Sequence, residues 1–121
     1  MPDDFLENWS IQARKGVIEL CILNALRTHE RYGYELVKSL VAVPGLEVAD
    51  GTIYPLLSRL RQQGLVTTRL QESPSGPARR FYALTDEGRT RVDAMNRYFF
   101  ALTSAVGAVA HGGAAPPPSA N

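Results

Sequence analysis

The alternation of apolar and polar positions divides the chain into segments with distinct periods. From Val17 to Leu26 it reads VIELCILNAL, apolar almost all round and broken only by Glu19 and Asn24. That run predicts a helix covered on more than one side. With Ser10 as its N-cap, this first helix is expected to extend to about Thr28. After HERYG, the segment YELVKSLVA reads as a short second helix stopped by Pro44-Gly45. Ile53, Leu56, Leu57 and Leu60 then fall at i, i+3, i+4 and i+7, the buried stripe of a third helix capped by Asp50 and ended by Gly64. Pro55 falls within or just after its first turn, where a missing N–H costs least. LVTTRL and ARRFYAL have strand character, and QESPSGP between them is a turn-rich loop, so a hairpin is expected. Thr85 caps a last helix with Asp86 and Glu87 in its first turn. Along it, Val92, Met95, Phe99, Leu102, Val106 and Val109 step by 3, 4, 3, 4 and 3, the seam of a helix that packs against another helix.

Helix, glycine stop, hairpin and helix in that order are the parts of a winged helix-turn-helix. The fold expected is mainly α with a small β-hairpin: an N-terminal arm (1–9), a winged helix-turn-helix domain (10–84), a C-terminal dimerisation helix (85–111) and a disordered tail (112–121). One small domain can hardly cover the first helix and the seam by itself, so a symmetric homodimer is expected, with Val92, Met95, Phe99, Leu102, Val106 and Val109 at its interface.

Opposite the apolar stripe of the third helix lie Ser58 and Gln62, flanked by Tyr54 and Arg61 on one side and Thr52 and Arg59 on the other. Alone, such a polar back describes any surface helix. The hairpin that follows, with Arg79 and Arg80, turns it into a candidate for reading a DNA groove. Arg79 and Arg80 alternate to opposite faces of a strand, so at most one of them leads toward DNA, the other being a solvated surface charge. Tyr34 and Lys38 on the second helix are candidates for phosphate contact. The DNA-facing set is therefore Tyr34, Lys38, Thr52, Tyr54, Ser58, Arg61, Gln62, Arg79 and Arg80. For Tyr54 the plainer alternative is packing at the edge of its own core.

Charge changes the picture by its distribution. The formal net charge of the 121 residues is only +1, low for a DNA-binding protein. Residues 1–50, however, carry five basic and eight acidic side chains, whereas residues 51–91 carry seven arginines against Glu72, Asp86 and Glu87. Positive charge gathers where the third helix and hairpin are expected. A winged-helix module that binds protein is the alternative, and the near-neutral total is what favours it. The single cysteine, Cys21, excludes an internal disulfide, and no Cys/His cluster has metal-ligand spacing. No catalytic constellation, metal or cofactor is expected, and no apolar run is long enough for a membrane span. A cytoplasmic location follows as an expectation.

The runs RKGVIELCILNAL, RYGYELVKSL, GTIYPLLSRLRQQGLV and SGPARRFYALTDEG together resemble the PadR family of bacterial transcriptional regulators, over about residues 10–90. The single C-terminal helix looks like the compact subfamily. The resemblance implies a homodimeric repressor of a nearby or its own promoter, bound to a partly palindromic operator and released by a small effector such as an aromatic compound. It also implies that Thr52 and Tyr54 act on the recognition helix and Arg79 and Arg80 on the wing. An effector pocket at the dimer centre is implied at Phe99 and Met95 on the last helix and Leu20 and Asn24 on the first, with Phe99 standing where a multidrug-binding member has tryptophan.

Overall fold

A computed structural model describes residues 4–112. Five helices and a three-stranded sheet follow one another: α1 (Asp4–Arg14), α2 (Val17–Ala25), β1 (Arg31–Tyr32), α3 (Gly33–Val41), α4 (Asp50–Gln62), β2 (Val66–Gln71), β3 (Arg79–Leu84) and α5 (Asp86–Ala110). β3 lies between β1 and β2, antiparallel to both, and the β2–β3 hairpin pairs Val66 with Leu84 through to Gln71 with Arg79.

The first helix differs from expectation. It is two helices: α1 already begins at Asp4, inside the segment expected as an arm, and α2 ends at Ala25. Ser10 is no N-cap, because it sits within α1 and donates its hydroxyl to the Glu7 carbonyl at 2.8 Å. The break falls at Gly16, whose φ of +78° is left-handed backbone that a side chain would resist. Most of the expected tail, residues 113–121, lies outside the described residues.

α2, α3 and α4 pack with the sheet and the first half of α5 around one core. Leu20, Ile22, Leu23 and Leu26 meet Leu36, Val37 and Leu40, Ile53, Leu57 and Leu60, and Val66, Tyr82 and Leu84. Removing one such aliphatic side chain from water is worth about 2 kcal/mol, so this cluster carries the fold. Val92 belongs to it as well. The seam assigned Val92 to a dimer interface, but it is fully enclosed by its own chain.

The ends of α4 position the site. Its N-cap is Ala49, so Asp50 is the first helical residue instead of the expected cap, still placed to suit the helix dipole. Pro55 lies well inside the helix, as its sixth residue. At the other end Gly64, with φ +81°, closes a Schellman turn: Leu65 N–H donates to Leu60 and Gly64 N–H to Arg61, both at 3.0 Å. Thr85 Oγ1 accepts from Gly88 N–H at 2.9 Å and donates to the Gly64 carbonyl at 2.7 Å. The expected cap of α5 thus also ties that helix to the end of α4.

Candidate nucleic-acid interface

α4 buries Ile53, Leu57 and Leu60 and leaves Thr52, Tyr54, Ser58, Arg61 and Gln62 exposed. Arg59, on the flank nearer α2, is exposed as well, but its guanidinium is engaged in an ion pair with Glu19. Arg61 has no acidic partner among the described residues, so its guanidinium is available to an outside anion.

α3 and the wing complete this face. Gly33 opens α3 under the Tyr82 ring, where an added Cβ would stand 2.9 Å from Tyr82 Cε1. This close approach, and not a positive φ, is what glycine provides there. It lets Tyr32, Gly33, Tyr34, Tyr54, Arg80 and Tyr82 enclose a recess of about 320 Å³. A second recess of about 490 Å³ adjoins it between α3 and α4, bordered by Tyr34, Lys38, Tyr54 and Asp50. Tyr34, Lys38, Tyr54 and Arg80, four candidates separated in sequence by up to 46 positions, therefore meet around two neighbouring hollows. Partial burial, followed by the nearby Tyr82, Tyr32 and Asp50, pushes the Tyr54 phenol above its usual value. It stays protonated at neutral pH and can donate a hydrogen bond.

The structure separates the two wing arginines. Arg80 stands on the face of β3 that borders the recess and donates to Thr68 Oγ1 at 3.2 Å. Arg79, on the other face, lies over the Tyr32 ring at 5.0 Å. Below it Arg69 stacks on Phe81 at 4.7 Å and donates to Glu30 Oε2 at 2.7 Å. The wing is thus fastened at its base by Arg69, a residue the sequence offered no reason to single out, and presents Arg79 and Arg80 nearer its tip.

A different surface occupies the far side. Leu20, Met95 and Phe99 border a groove of about 790 Å³ between the α1–α2 turn and α5, together with Tyr98, Leu102, Lys15 and Arg91. Three of the four expected pocket residues meet there. Asn24 does not line it; its amide pairs reciprocally with that of Asn96, both bonds at 2.8 Å. Beside the groove, Phe5, Leu6, Trp9 and Ile11 of α1 and Tyr98, Phe100, Leu102, Val106 and Val109 of α5 are exposed. Phe5, Leu6 and Ile11 escaped the sequence reading, although Phe5 and Trp9 at i, i+4 behind Asp4 and Glu7 were a signal. Cys21 packs against the core, and burial pushes its thiol up, away from reactivity.

Helix, turn and helix followed by a hairpin, with a polar outer face on the second helix, define a winged helix-turn-helix protein with a long C-terminal helix. The chain belongs to the transcriptional regulator PadR-like family, whose model matches residues 22–94; its members are regulators and not enzymes. It is 33% identical over 75 residues to the transcriptional regulator YqjI of Escherichia coli strain K12, a match covering 60% of this chain but about a third (34%) of YqjI. The solved PadR family transcriptional regulator from Eggerthella lenta superposes with a TM-score of 0.79 at 32% identity, over 91% of this chain and 96% of that one. Bacillus subtilis PadR, solved in complex with operator DNA, gives 0.59 at 27% identity, over 65% of this chain and 46% of that one. No helix among the described residues is long and apolar enough to cross a membrane.

Proposed function

We propose that the chain binds operator DNA as a homodimer, with α4 in the major groove, α3 and the wing on the flanking phosphates, and α1 and α5 joining the two subunits. The carrying observation is the exposed polar side of α4, with Ser58 and Gln62 at its centre and Arg61 and Thr52 on its two flanks, which on the Arg61 side adjoins the hollows of Tyr34, Lys38, Tyr54 and Arg80. Short polar side chains and an unpaired arginine suit base edges; phenols and cations around a hollow suit a phosphate oxygen. The likeness to a PadR solved on its operator supports the same mode. Two recognition helices related by a twofold axis would meet half-sites about one helical turn apart.

The regulatory reading is a repressor of its own or a nearby promoter, released by a small effector such as an aromatic molecule. Its support is the apolar groove beside Leu20, Met95 and Phe99, which lies against the surface assigned to subunit contact. Gel-shift titration on the DNA upstream of its own gene across a salt series, with a footprint, tests the DNA reading. Protection of a partly palindromic site, with affinity falling steeply as salt rises, is expected. Binding that ignores salt, or no preference over random DNA, overturns it in favour of a protein-binding module.

A further inference from the structure

α5 rests on α2 through two kinds of contact. Val92, Met95 and Phe99 supply an apolar stripe, which is non-directional and tolerates a small roll or slide of the helix. Beside that stripe runs a polar edge. Asp93 pairs with Arg27 at 2.6 Å, Arg89 donates to the Arg27 carbonyl at 2.9 Å, and Asn96 exchanges two hydrogen bonds with Asn24. The Arg27–Asp93 pair is about half exposed on both sides, where water and salt weaken it. The amide pair is half-buried and demands that both planes align, since each amide is at once donor and acceptor for the other. A shift of α5 by one residue would lose both bonds and leave two amides unsatisfied.

Among the described residues the opposite edge of α5 has no such hydrogen-bonded pair to α2. Tyr98 projects about 160° away from Asn96 on an ideal helix, and it faces the groove of about 790 Å³ together with Leu102. Beyond the joint at Thr85 and Gly88, the directional contacts that hold α5 among the described residues therefore lie along one edge, and the amide pair is the least exposed of them. Beyond Phe99, α5 continues with every large side chain exposed, so any change of angle at Asn96 is carried outward along the helix.

We propose that the Asn24–Asn96 amide pair is a positioning element that fixes the angle of α5 on the DNA-reading unit and so sets the half-site spacing the dimer accepts. The spacing part rests on the dimeric DNA-binding reading above. A single polar pair within an otherwise apolar contact is a known means of specifying register where apolar packing leaves it loose.

The test has two arms on the full chain. In a Cys21→Ser background, spin labels at Ser58→Cys on α4 and Ser104→Cys on α5 report the distance between the helices within one subunit, with labelled chain diluted in excess unlabelled chain. The original pair should give one narrow distribution. Asn24→Leu/Asn96→Leu, which removes both polar partners together, should broaden it at least about twofold while retaining the melting temperature. In the second arm, the protein with both asparagines should prefer one half-site spacing by about tenfold over operators one base pair longer or shorter, and the double variant should lose that preference. Should the double variant fail to fold, Asn96→Gln lengthens one arm of the pair and should shift the distribution instead.

An unchanged distribution in the variants overturns the proposal, as does a retained spacing preference. Absence of any operator preference in the unsubstituted protein overturns the DNA-binding reading instead, and the distance arm still decides whether the pair sets the angle of α5.

Discussion

The α3–α4–wing face and the α1–α5 face both expose aromatic rings, but they surround them differently. On the first, rings stand beside cations: Lys38 over Tyr34 at 5.2 Å, Arg79 over Tyr32 at 5.0 Å, and Arg80 sharing a recess with Tyr54. On the second, Tyr98, Phe100, Leu102, Val106 and Val109 occupy a stretch of α5 with no charged side chain from Tyr98 to Ala110. A ring beside a cation keeps its water and suits a hydrated anionic partner. Rings among aliphatic side chains are stabilised by losing water altogether, as against another protein surface. Similar exposure thus has opposite chemical meaning on the two sides.

The strongest way to break the distinction is at the joint that holds both faces. Gly88 in the first turn of α5 lies so close to the Leu65 carbonyl oxygen that a methyl group there would overlap it. That oxygen also accepts the Thr85 N–H at 3.1 Å, so it cannot simply turn away. Gly88→Ala is expected to cost at least about 3 kcal/mol, read as a lower melting temperature, with both dimerisation and DNA binding lost together. A variant as stable as the parent would show that α5 does not dock on the start of β2.

Next in size are substitutions confined to one face. Val106→Asp puts a charge on the uncharged stretch without touching the monomer's core, and should yield monomers by light scattering with helical content retained. Operator affinity should fall by about 100-fold, as linked half-site binding is lost. A dimer that persists would sink the assignment of α5 to subunit contact. On the other face, Arg61→Ala should cost about 1–3 kcal/mol at the specific operator and relax its sequence preference. Arg80→Ala should weaken all sequences alike and lower the salt slope by about 1. Interchanged behaviour of the two arginines would reverse their roles as base reader and phosphate contact.

The same two faces show what a sequence can disclose. Gly64, Thr85 and the Ile53, Leu57 and Leu60 stripe act locally, through turn geometry, capping and helical period, and stand where the pattern put them. Val92 was misplaced because a heptad step records that a position is buried, not whether its own chain or another covers it. Asn24 was assigned to a pocket through the family resemblance, whereas its amide partner lies 72 residues away on α5. The two-residue β1 carries no period at all. Lys15-Gly16 gave a single glycine as warning of the break between α1 and α2. The DNA face was more legible than the α5 face because its polar residues have a direction fixed by one short helix, while the destination of α5 depends on distant contacts.

The smallest expected effect sharpens the comparison within the wing itself, between its carboxylate-anchored base and the arginines that have no carboxylate partner. The Arg69 guanidinium donates to both oxygens of Glu30 and holds that carboxyl below the ordinary glutamate value of 4.5. A carboxyl whose folded value is depressed adds stability that is fully present above its unfolded value and is lost as pH falls through the folded one. The parent should therefore melt slightly above Glu30→Gln at neutral pH, and the two curves should converge as pH drops below about 4.3. The pair is exposed, so added salt should shrink the difference at neutral pH as well. Arg79→Ala, acting on a cation that rests on Tyr32 without a carboxylate, should show no such convergence. A gap between parent and Glu30→Gln that survived at acid pH would mean that the Arg69 stack on Phe81, and not its charge pairing, holds the wing.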